Sequence, residues 1–145
     1  STPIKSSAAS DVYKRQDNLH TVYLWGYGDR YPIAEIKNAT LAQVEAAVSS
    51  IFGMTSSALA QNSLPDAAKL KALRKHTSLS KAQVTVFTHL PLIGVSSVTD
   101  PTGKTLYYEY DELGRLKRNY YYENNIMQES EKRVLQEYDY HYRNQ

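Results

Sequence analysis

The chain has 145 residues, a formal net charge of +2 and no cysteine, a length that suits one domain burying roughly 65–70% of its unfolded surface. The missing cysteines exclude disulfides, thiolate metal sites and a cysteine nucleophile. Interspersed charges exclude the concentrated basic face of a nucleic-acid binder, and no apolar run approaches the ~18 residues needed to span a bilayer.

Residues 1–16, STPIKSSAASDVYKRQ, are polar and show no apolar period. They resemble translated sequencing-adapter sequence, so a non-native or disordered tail is expected there, with the folded segment at 17–145. Because the sequence starts at Ser1 and stops directly after a strand-like run, it is expected to be a fragment.

Thr21 to Trp25 and Ile33 to Ile36 flank Gly26-Tyr27-Gly28-Asp29, which predicts a β-hairpin with a glycine loop. Pro32 cannot donate a ladder hydrogen bond, so it belongs at a strand start or on an edge. Thr40-Leu41-Ala42-Gln43 fits a capping box, and Leu41, Val44, Val48, Ile51 and Phe52 follow helical spacing up to Gly53. A second helix is expected from Pro65 and Asp66, with Ala67, Leu70 and Leu73 on one side and Arg74, Lys75 and His76 near its end. Between them, Ser56 or Ser57 is placed to cap a short turn through Leu59.

From Ala82 the apolar period changes to two. Val84 and Val86 are expected to oppose Phe87, and Leu90 to Gly94 forms a loop before a strand at Val95 to Thr99. Asp100-Pro101-Thr102-Gly103 is a turn leading into Thr105 to Tyr110, with Leu106, Tyr108 and Tyr110 on one face and Tyr107, Glu109 and Asp111 on the other. A turn at Glu112 to Gly114 returns the chain as Leu116 to Tyr122, with Leu116, Tyr120 and Tyr122 in register. A further turn at Glu123 to Asn125 precedes a last strand, Val134 to Tyr142. Val134, Tyr138, Tyr140 and Tyr142 share one face of it; Glu137, Asp139, His141 and Arg143 share the other. Tyrosine is heavily over-used, with 13 against 2 Phe and 1 Trp. That bias favours strands with half-wet faces, because tyrosine joins β preference to a hydroxyl that tolerates water. The expected fold is α+β and mainly β: an antiparallel meander with a two-helix insert at about residues 40–76.

Several motifs invite chemistry and are better read as structure. Gly103-Lys104-Thr105 lacks the first glycine of a phosphate loop, since Val98 stands there, and a strand follows in place of a helix. Gly26-Tyr27-Gly28 lacks the third glycine of a dinucleotide fingerprint. Glu137, Asp139 and His141 share a strand face, but His20, His76 and His89 lie in other elements and no ligand set closes. Asn38-Ala39-Thr40 fits a glycosylation sequon and equally a helix-entry turn. No cofactor, metal site or catalytic residue is expected. Tyr23, Trp25, Tyr107 and Tyr121 are candidate aromatics for stacking on a sugar ring.

The run DPTGKTLYYEYDELGRL resembles the YD repeat of the bacterial rearrangement-hotspot (Rhs) family. Asp100, Pro101, Gly103, Tyr108, Tyr110, Asp111, Gly114, Arg115 and Leu116 carry the likeness. Glu137-Tyr138-Asp139 repeats Glu109-Tyr110-Asp111, and Tyr23 to Ile36 looks like a degenerate copy. The resemblance implies YD-repeat hairpins in a sheet that forms part of a scaffold or toxin-encapsulating shell, extracellular or on a bacterial surface. Its implied partners are neighbouring repeats of the same parent chain, and its signature residues have structural rather than catalytic duty. The alternative is a carbohydrate-binding module using a tyrosine-rich sheet face.

Overall fold

A computed structural model describes residues 19–140. Its strands form a mainly antiparallel sheet of seven, with hydrogen-bonded neighbours in chain order. They are β1 (His20–Gly26), β2 (Tyr31–Ala39), β3 (Gln83–Leu90), β4 (Gly94–Thr99), β5 (Thr105–Tyr110), β6 (Leu116–Tyr122) and β7 (Lys132–Glu137). The chain divides into two compact units, Ser1–Phe87 and Thr88–Gln145.

In the first unit, Val22 faces Ile36, which faces Val84, while Leu24 faces Ala34, which faces Val86. These cross-strand ribs are buried, and with Val44, Val48, Leu59, Leu70, Leu73 and Leu79 they make one apolar core. Ile33 and Ala34 are both buried although adjacent, because a bulge interrupts the register opposite Leu24 and Trp25. Pro32 is the second residue of β2, paired with Trp25 of β1 and beyond the stretch that pairs with β3, as expected of a proline near a strand start.

The insert holds three short helices rather than two: α1 (Leu41–Phe52), α2 (Ser56–Ala60) and α3 (Ala67–Ala72), followed by 3-10 turns at Leu73–Lys75 and Thr77–Leu79. The capping box at Thr40 forms as expected: Gln43 N–H donates to Thr40 Oγ1 at 3.2 Å and Thr40 N–H donates to Gln43 Oε1 at 2.9 Å. Asp66 likewise caps α3. The cap of α2 is Thr55, not Ser56 or Ser57; Ser56 lies buried inside the helix, its N–H and hydroxyl both donating to Glu45 of α1. The loop Gly26–Arg30 docks on the C-terminal end of this helix, with Asp29 N–H donating to Ala60 O at 2.6 Å and Gly28 N–H to Asn62 O at 3.3 Å. The donors that a dinucleotide reading would need are thus engaged by protein carbonyls.

The second unit is built differently. Every apolar side chain described in it keeps some exposure, and the buried side chains are Ser97, Thr99, Thr105 and Asn119. Hydroxyl pairs join its strands: Thr99 Oγ1 and Thr105 Oγ1 lie 2.8 Å apart, and Thr88 Oγ1 lies 2.7 Å from Ser96 Oγ and 2.5 Å from Ser97 Oγ. Asn119 Nδ2 donates to Gln136 Oε1 at 3.2 Å, and Gln136 N–H donates back to Asn119 Oδ1 at 3.1 Å. Half-covered tyrosines on both sides supply the apolar contact that remains.

Candidate functional site

Asp100–Lys104 and Asp111–Arg115 form two copies of one loop, eleven positions apart. At Asp100–Lys104, Asp100 N–H donates to Lys104 O (2.9 Å), Gly103 N–H donates to Asp100 O (2.9 Å), and Asp100 Oδ1 accepts from the N–H groups of Thr102 (2.9 Å) and Lys104 (3.0 Å). At Asp111–Arg115, the matching distances are 2.8, 3.0, 2.9 and 2.9 Å, from Arg115 O, Gly114 N–H, Leu113 N–H and Arg115 N–H. Gly103 and Gly114 stand in the left-handed region at φ 96° and 78°, where a Cβ is disfavoured. The aspartate is needed because its short carboxylate reaches two N–H groups that the tight turn aims inward.

Both carboxyls sit below the usual aspartate range. At Asp111 the Arg115 N–H contributes most, and bonds from the Arg115 side chain and Leu113 add to it, against a cost of desolvation. At Asp100 burial opposes ionisation, and bonds from Thr102, Lys104 and Gly103 together outweigh it. A carboxylate with a depressed folded pKa stabilises most above its unfolded value of about 3.9, and that contribution fades as pH falls through the lower folded value. Below about pH 4 the melting temperature of the chain is therefore expected to drop. In a double variant, Asp100→Asn with Asp111→Asn, the loops keep their acceptors and the melting temperature becomes less pH-dependent in this window. Circular dichroism melts from pH 6 to pH 2 check this, and an undiminished acid dependence in the double variant would refute it.

Arg115 completes the second loop. Its Nε donates to Asp111 Oδ2 at 2.8 Å, and its guanidinium lies 4.3 Å from the Tyr140 ring centre. Tyr140 in turn donates its hydroxyl to Leu116 O at 2.7 Å. Tyr110 donates to Val95 O at 2.7 Å and lies over Gly94.

Two bulges change which residues share a face. In β6, Glu109 faces Arg118 while Tyr110 faces Leu116, so Lys117 is the extra residue. Leu116 therefore joins the face of Tyr110, not that of Tyr120 and Tyr122 as strict alternation implies. Lys117 and Arg118 both reach Glu109, at 3.9 and 2.8 Å. In β7, Tyr120 faces Val134 and Arg118 faces Glu137, which puts Glu137 on the side of Val134 rather than opposite it. The predicted last strand is also shorter, ending at Glu137; His141, Tyr142 and Arg143 lie outside the described residues.

The outcome is an ion-pair ladder that strand alternation alone does not reveal. Arg118 Nη1 meets Glu109 Oε1 at 2.8 Å and Arg118 Nη2 meets Glu137 Oε2 at 2.9 Å, spanning β5, β6 and β7. A signal for it was present, since the two glutamates open the repeated Glu-Tyr-Asp triplets. On the same face Tyr107 stacks on Tyr120 with centroids 5.4 Å apart, and Tyr122 meets both edge-on. Lys132 Nζ lies 4.3 Å from the Tyr120 ring centre. Burial leads the causes that raise the Tyr107 and Tyr120 pKa values. Each cross-strand aromatic or charged pair is worth roughly 0.2–1 kcal/mol.

The four candidate stacking aromatics do not form one platform. Tyr23 and Trp25 belong to β1, where Tyr23 donates to Glu35 Oε2 at 2.7 Å. Tyr107 and its neighbour in register, Tyr120, occupy one face of the second unit; Tyr121 occupies the other, under Lys104 at 4.2 Å. One sugar ring cannot meet both Tyr107 and Tyr121. Among the described residues, no three His, Cys, Asp or Glu side chains group to hold a metal ion, and no helix is long and apolar enough to cross a membrane. No protein-family model, curated protein or solved structure matches the chain.

Proposed function

We propose that this chain is a non-catalytic, structural segment of a YD-repeat protein of the rearrangement-hotspot type, secreted by or displayed on a bacterium. Its hairpins contribute strands to a scaffold or toxin-encapsulating shell, with neighbouring repeats of a longer parent chain as its partners. The observation that carries this reading is the recurrence of one Asp-x-x-Gly loop, with the same four hydrogen bonds, at Asp100–Lys104 and Asp111–Arg115. A loop that closes its own donors and acceptors is suited to tandem repetition, because each hairpin turns without help from a core.

The second unit adds support. Its strands are joined by hydroxyl pairs, an ion-pair ladder and tyrosines on both faces, a design that suits a broad sheet assembled from many hairpins. Electron microscopy of a longer parent containing residues 100–140 is expected to show an extended β-rich wall or shell. A parent made only of separate small globules would refute the reading.

A further inference from the structure

Among the described residues, β7 is the last strand in hydrogen-bonded order, and β6 is its neighbour there. Five of its six residues, Arg133 to Glu137, are exposed, with Val134 at 48% and Leu135 at 58%. An edge strand presents N–H and C=O groups on its outer side and is a template for a further strand. Natural edges are commonly blunted by charge, so the charge pattern decides which strand fits.

The sequence of β7, Lys-Arg-Val-Leu-Gln-Glu, is self-complementary when reversed. Laid antiparallel on a second copy about an axis between Val134 and Leu135, Lys132 falls opposite Glu137, Arg133 opposite Gln136, and Val134 opposite Leu135. In a regular strand Lys132 and Glu137, five positions apart, would point to opposite faces. The bulge prevents this: Lys132 faces Tyr122, Val134 faces Tyr120 and Glu137 faces Arg118, so all three share one side, whereas Arg133 and Gln136 face Tyr121 and Asn119 on the other. The polar cross-copy pairs would therefore each meet on a common face, with opposite charges at the ends and apolar side chains in the middle.

We infer that β7 is an isologous pairing edge whose occupant is β7 of a second copy of this chain. The pairing would continue the sheet of the second unit across a two-fold axis, the arrangement in which one patch serves as its own partner. It does not depend on the repeat reading, since it rests on β7 alone.

Light scattering after size exclusion on the full 145-residue chain, over a concentration series, is expected to show a dimer. Lys132→Glu sets like charges opposite each other at both ends of the pairing, and is expected to weaken dimerisation by about tenfold or more. Because the native chain has no cysteine, Val134→Cys and Leu135→Cys chains can be mixed and oxidised. The mixed disulfide is expected to dominate over either homodimer, while Leu113→Cys, on an exposed loop, should not cross-link. A monomer at every concentration overturns the inference. So does a dimer that tolerates Lys132→Glu and yields no mixed disulfide, which would place its interface elsewhere.

Discussion

Leu24→Ala is expected to lower the stability of the first unit by about 2–5 kcal/mol, the range for removing a fully buried leucine and leaving a cavity. Leu24 is 1% exposed, and its cross-strand partner on β2 is Ala34, which continues the rib to Val86. Ala34 is too small to fill the space, and Val86 and the helical residues of the core are held by their own backbones. Urea unfolding followed by far-ultraviolet circular dichroism measures the loss. A change below about 1 kcal/mol would mean that the core collapses onto the site, against the close packing expected of a protein interior.

Gly94→Ala is expected to cost about 1–3 kcal/mol, a large effect for one added methyl group. A Cβ there would lie 2.5 Å from the Tyr110 hydroxyl oxygen and 3.0 Å from Cζ. The ring would have to move, breaking the hydroxyl's bond to Val95 O, at 2.7 Å, which alone is worth roughly 0.5–1.5 kcal/mol. Tyr110→Phe provides the comparison: it removes the hydroxyl, and with it the shortest of the three contacts, so Gly94→Ala should cost less in the Tyr110→Phe background than in the native chain. Equal costs in both backgrounds would show that the methyl group does not act through Tyr110. The result bears on the proposed repeat reading, because Tyr110 is among the residues that carry the resemblance and the missing Cβ of Gly94 leaves room for its hydroxyl at the start of β4.

What was legible in the sequence is what residues determine through near neighbours in the chain. The capping box at Thr40 and Gln43 and the aspartate cap at Asp66 follow from side chains reaching N–H groups two or three positions away. The Asp100 and Asp111 loops follow from a short carboxylate and a glycine at fixed spacing. The glycine turn at Gly26 to Asp29 and the period-two alternation from Ala82 onward likewise pointed to an antiparallel meander of about six or seven strands, and seven are found among the described residues.

Only the tertiary structure decided where alternation breaks. Lys117 and Leu135 are ordinary strand residues by type, and nothing nearby in sequence marks either as a bulge; the register of two strands across the sheet does. That register moved Leu116 to one face and Glu137 to the other, and so assembled Glu109, Arg118 and Glu137 into a ladder and gave β7 its two-fold charge pattern. Thr55 displaced Ser56 as a cap for a similar reason, because Glu45, eleven residues earlier, claims Ser56. Local bonds are written in the order of the residues, whereas faces and partners depend on which distant strands and helices meet.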